Sequence, residues 1–421
     1  MNHNASYETI SDVASIASSP DLKNHLRRYR EELENQLEEI LSWWMQRTPD
    51  KQNGGFVGRI DHYNNTHPGA AKGSVLNSRI LWTFSSSYIV TGKTEYLETA
   101  KRAFDYIIEN FIDKDFGGVF WTVDSNGKPL DDKKQIYALA FAVYGLSEYF
   151  KSSKNETAKE TAIALYHAIL DYSYDNRFGG YIEALARDWQ QIADLRLSAK
   201  DANEKKSMNT HLHLLEAFAN LYGIWPDESL KQKVVELISI FLNQIIDEKT
   251  YHLNLFFDEQ WRSKSNISSY GHDIEAAWLI QDAAAMIGNE SLLEQVKGKS
   301  VKMAEAAAKG LDDDGGLWYE HDELQKHLVR EKHSWPQAEA MIGFFNAWQI
   351  TGDEKFLNRS LDTWKFVQEH ILDKNFGEWY WGVNEDHSPM IQEDKVGIWK
   401  CPYHNSRACL EIIKRITGLI H

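Results

Sequence analysis

The stretch Ile112-Asp113-Lys114-Asp115-Phe116-Gly117 returns 260 residues later as Leu372-Asp373-Lys374-Asn375-Phe376-Gly377. Upstream of the two copies stand Thr91-Gly92 and Thr351-Gly352, then Tyr96-Leu97 and Phe356-Leu357, all at the same offset and without insertion. Working outward, a Gly-Gly turn followed by an aromatic residue recurs along the chain. It reads Gly54-Gly55-Phe56, Gly117-Gly118-Val119-Phe120, Gly179-Gly180-Tyr181, Gly315-Gly316-Leu317-Trp318 and, degraded, Gly377-Glu378-Trp379. Successive intervals are 63, 62, 136 and 62 residues, and Lys249-Thr250-Tyr251 occupies the place of the missing copy inside the long one. The chain therefore holds six units of roughly 60 to 70 residues.

Each unit has two helical segments. Leu97, Ala100, Phe104, Ile107, Ile108 and Phe111 follow i, i+3, i+4 spacing and form one apolar stripe, whereas Ile136 to Phe150 is apolar on more than one face. A one-sided helix paired with a nearly all-apolar one, six times over, predicts an inner ring of helices wrapped by an outer ring. The expected class is all-α, an (α/α)6 barrel with Gly-Gly hairpins at one end. A polar tail is expected over residues 1–20 and one catalytic domain over 21–421.

Composition narrows the partners. With 46 basic and 62 acidic side chains the net charge is −16, and no basic stripe is present to follow phosphates, which disfavours nucleic acid and anionic membranes. No apolar run approaches the roughly 20 residues that span a bilayer, and the first 20 residues lack the apolar core of a signal peptide. Cys401 and Cys409 are the only cysteines, a usage that fits a reducing cytoplasm and excludes a Cys-based zinc site. The 15 Trp and 16 His are the unusual feature: they suit stacking on sugar rings and proton transfer, or simply a well-filled core.

Inner helices of such a ring run parallel, so their N-terminal turns share one mouth. The six are expected near 73–90, 133–150, 207–222, 269–286, 334–350 and 401–417, with Arg79, Tyr137, His213, His272, Trp335 and His404 as mouth residues. Asn209, His213 and Glu216 share a face, as do Trp335, Glu339 and Asn346, and His404 with Arg407. His272 and Glu275 are three apart, and Glu275 is expected to orient that imidazole and raise its pKa. A lone helical His is more often a packed or surface residue than a catalyst. Three repeats place one near the mouth, however, with polar neighbours in phase. His211, two residues from His213, faces the other way and reads as structural. Trp335 and Trp399, beside helix starts, read as walls for a sugar ring. No H-E-x-x-H or paired-Cys motif is present, so no metal is expected. None of the Gly-Gly turns stands in a phosphate-loop context.

At these residues the sequence resembles the N-acylglucosamine 2-epimerase superfamily. The resemblance rests on Asn77-Ser78-Arg79-Ile80-Leu81-Trp82, Met208-Asn209-Thr210-His211-Leu212-His213, Ser269-Tyr270-Gly271-His272-Asp273-Ile274-Glu275, Trp335-Pro336-Gln337-Ala338-Glu339 and Trp399-Lys400-Cys401-Pro402-Tyr403-His404-Asn405-Ser406-Arg407-Ala408, in that order from about Leu22 onward. The Tyr-Gly-His-Asp-Ile-Glu and Lys-Cys-Pro-Tyr-His forms are similar to the disaccharide epimerases of that superfamily. The resemblance implies an isomerase that inverts C2 of the reducing-end sugar of β-1,4-linked disaccharides, cellobiose giving glucosyl-mannose and lactose giving epilactose. It implies His272 and His404 as the acid/base pair and His213 as a third histidine. Arg79, Asn209 and Glu275 follow as polar ligands, Trp335 and Trp399 as aromatic walls, and Asp201 as a loop residue reaching the distal sugar. Tyr137 completes the substrate-binding candidates from its place at the mouth.

Such chemistry explains the residue types. The pyranose must open before C2–H becomes acidic, and the enediolate must regain its proton on the other face, a task for imidazoles that titrate near neutrality. Arg79 would stabilise the oxyanion. No cofactor is required, and a monomer is expected. The alternatives are a mannobiose epimerase or aldose–ketose isomerase of the same superfamily, an inverting glycoside hydrolase with two carboxylates about 6.5–9.5 Å apart, and a non-catalytic sugar-binding barrel.

Overall fold

The computed structural model describes residues 19–420. All of the expected polar tail except Ser19 and Pro20 lies outside the described residues. Ser19 caps the first helix, accepting a hydrogen bond from the Leu22 N–H, and Pro20 opens it with a preset φ. Among the described residues the chain is mostly helical, with twelve α-helices. They are α1 (Pro20–Arg47), α2 (Ser74–Thr91), α3 (Thr94–Tyr106), α4 (Ile136–Ser153), α5 (Glu156–Ser173), α6 (Met208–Tyr222), α7 (Glu228–Ile240), α8 (Tyr270–Met286), α9 (Glu290–Ala307), α10 (Ser334–Thr351), α11 (Glu354–Phe366) and α12 (Tyr403–Ile420). The expected inner helices are the even-numbered ones, each displaced by only a few residues.

Two kinds of sequence make two kinds of helix. In α3 the buried residues Tyr96, Ala100, Ala103 and Phe104 form one stripe, and Lys101 and Asp105 on the other side pair with each other in solvent. In α4 every residue from Ile136 to Tyr149 is buried, so it needs neighbours all round. The packing supplies them. Each even helix packs on the odd helix that follows it, and α12, which has none, packs on α1. The even helices also contact one another in order, α2 on α4 through to α10 on α12, and α12 meets α2 again. Trp44 and Trp364 tie α1 to the C-terminal units, donating to Glu378 at 2.7 Å and Glu32 at 2.9 Å.

The recurring motif has a structural counterpart in all six units. Each outer helix ends in a tight turn closed by a bridge: Pro49 with Phe56, Ile112 with Val119, Tyr174 with Tyr181, Ile246 with Leu253, Leu311 with Leu317 and Leu372 with Trp379. Gly55 shows why glycine suits the turn: its φ is +60°, and a Cβ there would lie 2.5 Å from the Tyr106 ring. The degraded copies keep the same left-handed backbone on Tyr251 and Glu378, at φ 62° and 66°.

Short strands, absent from the all-α expectation, lead into the even helices. Lys72–Gly73, Lys134–Gln135, Lys206–Ser207, Ile267–Ser269 and Lys332–His333 each pair with a strand from the next unit, and Val396 pairs with Ile60. Each strand runs directly into a helix N-terminus, so the ladders gather at one end. There a buried lysine reaches the aspartate of a neighbouring turn: Lys72 to Asp50, Lys134 to Asp113, Lys206 to Asp175, Lys332 to Asp312 and Lys395 to Asp373, at 2.6–2.8 Å. In the unit lacking this pair, Asp273 takes the Leu253 N–H and His252 instead.

Candidate active site

The ends of the even helices carry the mouth residues at two depths. Tyr137, His272, Trp335 and His404 stand in the first turn of α4, α8, α10 and α12, while Arg79, His213, Glu275 and Glu339 lie about one turn deeper. One turn of helix rises about 5.4 Å, so the first four form a rim and the others a floor.

Three imidazoles there share one arrangement. Nδ1 of His213 meets Glu216 at 2.6 Å, Nδ1 of His404 meets Glu339 at 2.7 Å, and Nδ1 of His272 meets the Ser269 hydroxyl at 2.8 Å. Nε2 has no hydrogen-bond partner among the described residues in any of them. Glu339 also accepts from Arg407 at 2.7 Å and from the Trp278 indole at 3.0 Å, donors that favour its ionised form. His404 then carries its proton on Nδ1 and leaves Nε2 as the open lone pair. Burial is the main cause that pushes His213 and His272 down to about 3, and it drives His404 well below its ordinary value. The three are therefore neutral bases at pH 7 rather than groups poised at neutrality: at His213 and His404 desolvation outweighs the pull of Glu275, and at His272 no carboxylate opposes it.

The partnership expected between His272 and Glu275 does not form. Glu275 turns to Arg407 at 2.5 Å, while His272 takes Ser269 and lies tilted against Trp335, ring centroids 4.7 Å apart. Trp335 also lies 5.7 Å from His404, so one indole flanks both imidazoles. Trp399 stands against Tyr137 at 6.0 Å and against Trp121 at 5.7 Å. Arg79 donates to the Tyr137 hydroxyl at 2.8 Å and to the Trp399 carbonyl at 3.5 Å, with the Phe141 ring over its guanidinium. Lys400 holds the Trp399 segment by donating to Glu378 at 2.8 Å.

Asp201 and Asn209 fall in a side recess of about 30 Å³ lined by Glu183, Leu195 and Phe256. Asp201 accepts from the Ser198 N–H at 2.8 Å, and the buried Asn209 Oδ1 has no partner among the described residues. Glu183 beneath them is pushed up to about 7 by burial, against hydrogen bonds from Ser207 and Thr210. His211 is structural, as expected: its Nε2 accepts from the Tyr181 N–H and its Nδ1 meets the Ser207 carbonyl.

Four polar residues of the site were not among the sequence candidates: Glu216, Glu339, Tyr403 and Arg407. Glu216, Glu339 and Arg407 carried a usable signal, in phase with His213, Trp335 and His404. Tyr403 has only its place beside His404. Ligand atoms of Glu275, Glu339 and His404 lie within 4.8 Å of one another, a spacing that suits a cation. Arg407 bonds to both carboxylates, so a guanidinium supplies positive charge at that point.

A mouth of open imidazole nitrogens, two of them flanked by Trp335 and all carried on paired helices, belongs to an enzyme of the sugar epimerase and isomerase class. Residues 54–408 match the model of the N-acylglucosamine 2-epimerase family, and the chain belongs to that family. It is 46% identical over 385 residues to a cellobiose 2-epimerase of Bacteroides fragilis, covering 91% of this chain and 98% of that one. The solved cellobiose 2-epimerase of Bacillus thermoamylovorans superposes with a TM-score of 0.88 at 38% identity, over 92% of this chain and 100% of the other. A GH76 α-mannanase of Bacteroides thetaiotaomicron shares the fold alone, with a TM-score of 0.63 at 13% identity over 91% of this chain and 97% of its own.

Proposed function

We propose that residues 21–421 form a single closed (α/α)6 barrel that inverts C2 of the reducing-end sugar of β-1,4-linked disaccharides, cellobiose and lactose among them, without a cofactor. The cyclic helix contacts support the barrel, and the relatives named cellobiose 2-epimerase support the substrate class. The observation that carries the mechanism is the set of three imidazoles with engaged Nδ1 and open Nε2. The enzyme is read as a monomer of the cytoplasm, where its two buried thiols stay reduced.

The reaction begins with ring opening, in which His213 moves the proton between O1 and O5. Nε2 of one imidazole, His272 or His404, takes the C2 proton, and the electron pair moves onto the C1 carbonyl to give an enediolate. The other imidazole returns a proton to the opposite face of C2. Tyr137, polarised by Arg79, donates to the developing oxyanion. Trp335 and Trp399 wall the sugar, Glu275 braces the floor, and Asn209 and Asp201 serve the distal ring. Return of the proton to C1 instead gives a ketose, a side reaction of the same intermediate.

A hydrolase reading is disfavoured because Glu216, Glu275 and Glu339 all bond to Arg407, so none of the three is free to handle a water. Incubation with cellobiose and with lactose in D2O, followed by NMR, tests the proposal. C2 deuteration with an intact glycosidic bond is expected. Released monosaccharides would show a hydrolase, and unchanged sugar would show a binding protein.

A further inference from the structure

Arg407 is fully buried and reaches one carboxylate on each of three other helices. Nη1 donates to Glu216 of α6 at 2.9 Å, and Nη2 donates to Glu275 of α8 at 2.5 Å and to Glu339 of α10 at 2.7 Å. Two of those carboxylates also carry an imidazole: His213 meets the other oxygen of Glu216, and His404 shares the Glu339 oxygen that Arg407 uses. The contacts therefore run His213, Glu216, Arg407, Glu339, His404, with an open Nε2 at each end. His272 stands outside this line, since its Nδ1 meets a hydroxyl. A guanidinium suits the centre because it stays charged when buried and its planar fork presents several donors at once, which a lysine ammonium cannot match.

We propose that Arg407 is a positioning residue that couples the two carboxylate–imidazole pairs, setting the proton affinity of His213 and of His404 through one shared cation. This rests on the acid/base reading of His404 above. A carboxylate that faces Arg407 has less negative charge to offer an imidazolium, so each imidazole stays neutral and each Nε2 keeps its lone pair open. When one imidazole takes a proton it draws its carboxylate toward itself. Arg407 then leans on the other carboxylate, and a second protonation is disfavoured. One proton is thus held across the pair at a time.

Among the surrounding groups Glu275 acts in the opposite sense, raising both imidazoles, and it is itself bonded to Arg407. Tyr403 donates to both Glu216 oxygens at 2.9 Å and is itself bonded to Arg407. Tyr144 and the Trp278 ring are neutral neighbours. Of the charged neighbours, Arg79 acts in the same direction as Arg407 on both imidazoles. Glu411, one turn along α12, is occupied by Lys414 at 2.9 Å.

Arg407→Lys keeps one charge but loses the fork. The acidic limb of kcat/KM for cellobiose should move up by at least about one pH unit, while KM stays within about threefold. By NMR titration the His213 and His404 imidazoles should move up together and His272 should not. Unchanged titrations at His213 and His404 would overturn the proposal. Should Arg407→Lys fail to fold, Glu216→Gln, Glu339→Gln and the double variant, which retain Arg407, decide the matter. Coupling predicts effects on kcat/KM that depart from additivity by about fivefold or more, and additivity within twofold would refute it. If the parent enzyme leaves cellobiose unchanged, the proposed function fails, and the imidazole titrations still decide the coupling.

Discussion

Removing Asp113 should destabilise the protein far more than removing its partner Lys134, although the two form a single ion pair. Both side chains are inaccessible and 2.7 Å apart. Among the described residues Lys134 Nζ has only Asp113 as a hydrogen-bond acceptor, and burial already draws the ammonium below its ordinary value. Asp113→Ala therefore strands a buried cation, at a cost of about 4 kcal/mol. Lys134→Met leaves Asp113 with Arg187 at 2.8 and 3.0 Å and with the N–H groups of Asp115 and Phe116, so its cost should be only about 1–2 kcal/mol. Adding Lys134→Met to Asp113→Ala should recover about 2 kcal/mol, because the stranded charge disappears. Asp175→Ala makes the control: Lys206 keeps the Gly179 and Glu259 carbonyls at 2.6 and 2.8 Å, so its loss should be about 2 kcal/mol. With an unfolding entropy of about 2.1 cal/mol/K per residue over roughly 400 residues, 4 kcal/mol corresponds to a fall in Tm of about 5 °C. Urea unfolding of the four variants beside the parent measures the series. An Asp113→Ala cost no larger than that of Lys134→Met, or a double variant less stable than Asp113→Ala alone, would refute the reasoning.

His272→Ala and His404→Ala should each lower solvent deuterium incorporation at C2 by at least about 100-fold, and near-parent exchange in either would remove that histidine from the proton path. Glu183 has its folded pKa raised above its unfolded value, so its contribution to stability is full below about pH 4.5 and is lost as pH rises through about 7. Glu183→Gln should flatten the stability profile between pH 5 and 8 by up to about 3 kcal/mol, as read by urea unfolding; curves that stay parallel would mean the carboxyl titrates normally. A chelator should leave the epimerase rate unchanged, because Arg407 occupies the position between Glu275 and Glu339 where a cation would sit. Loss of rate restored by a divalent metal would show otherwise.

Much of the fold was legible because the repeat is encoded locally. Thr91-Gly92 and Thr351-Gly352 mark helix ends in both copies, each glycine at φ 71° with its N–H returned to the preceding turn. The lysine ties were missed because a single lysine ahead of an apolar run looks solvent-exposed until the neighbouring turn is folded against it. The two-residue ladders were missed because they are too short for a period-2 pattern to register. At the mouth, helical phase located the three histidines and Trp335, while Trp399, outside any helix, came from its place beside a helix start. Phase gave His272 the wrong partner in Glu275, since i, i+3 proximity on one helix lost to an arginine on another.

By itself the sequence determined the number of units, the alternation of one-sided and fully buried helices, and which side chains each buried helix turns toward the common mouth. Those properties follow from spacing within a segment, where backbone geometry sets the face of every residue. Tertiary structure alone decided which groups bond across the mouth: Arg407 with Glu216, Glu275 and Glu339, Glu339 with His404, and Ser269 rather than Glu275 with His272. The partners of Arg407 come from three other helices, 68 to 191 residues away in the chain. Their meeting depends on how each helix is rotated and how deeply it is set in the ring, and packing controls both. Packing also decided that the imidazoles are neutral, since the burial that depresses their pKa values exists only once the helices have assembled.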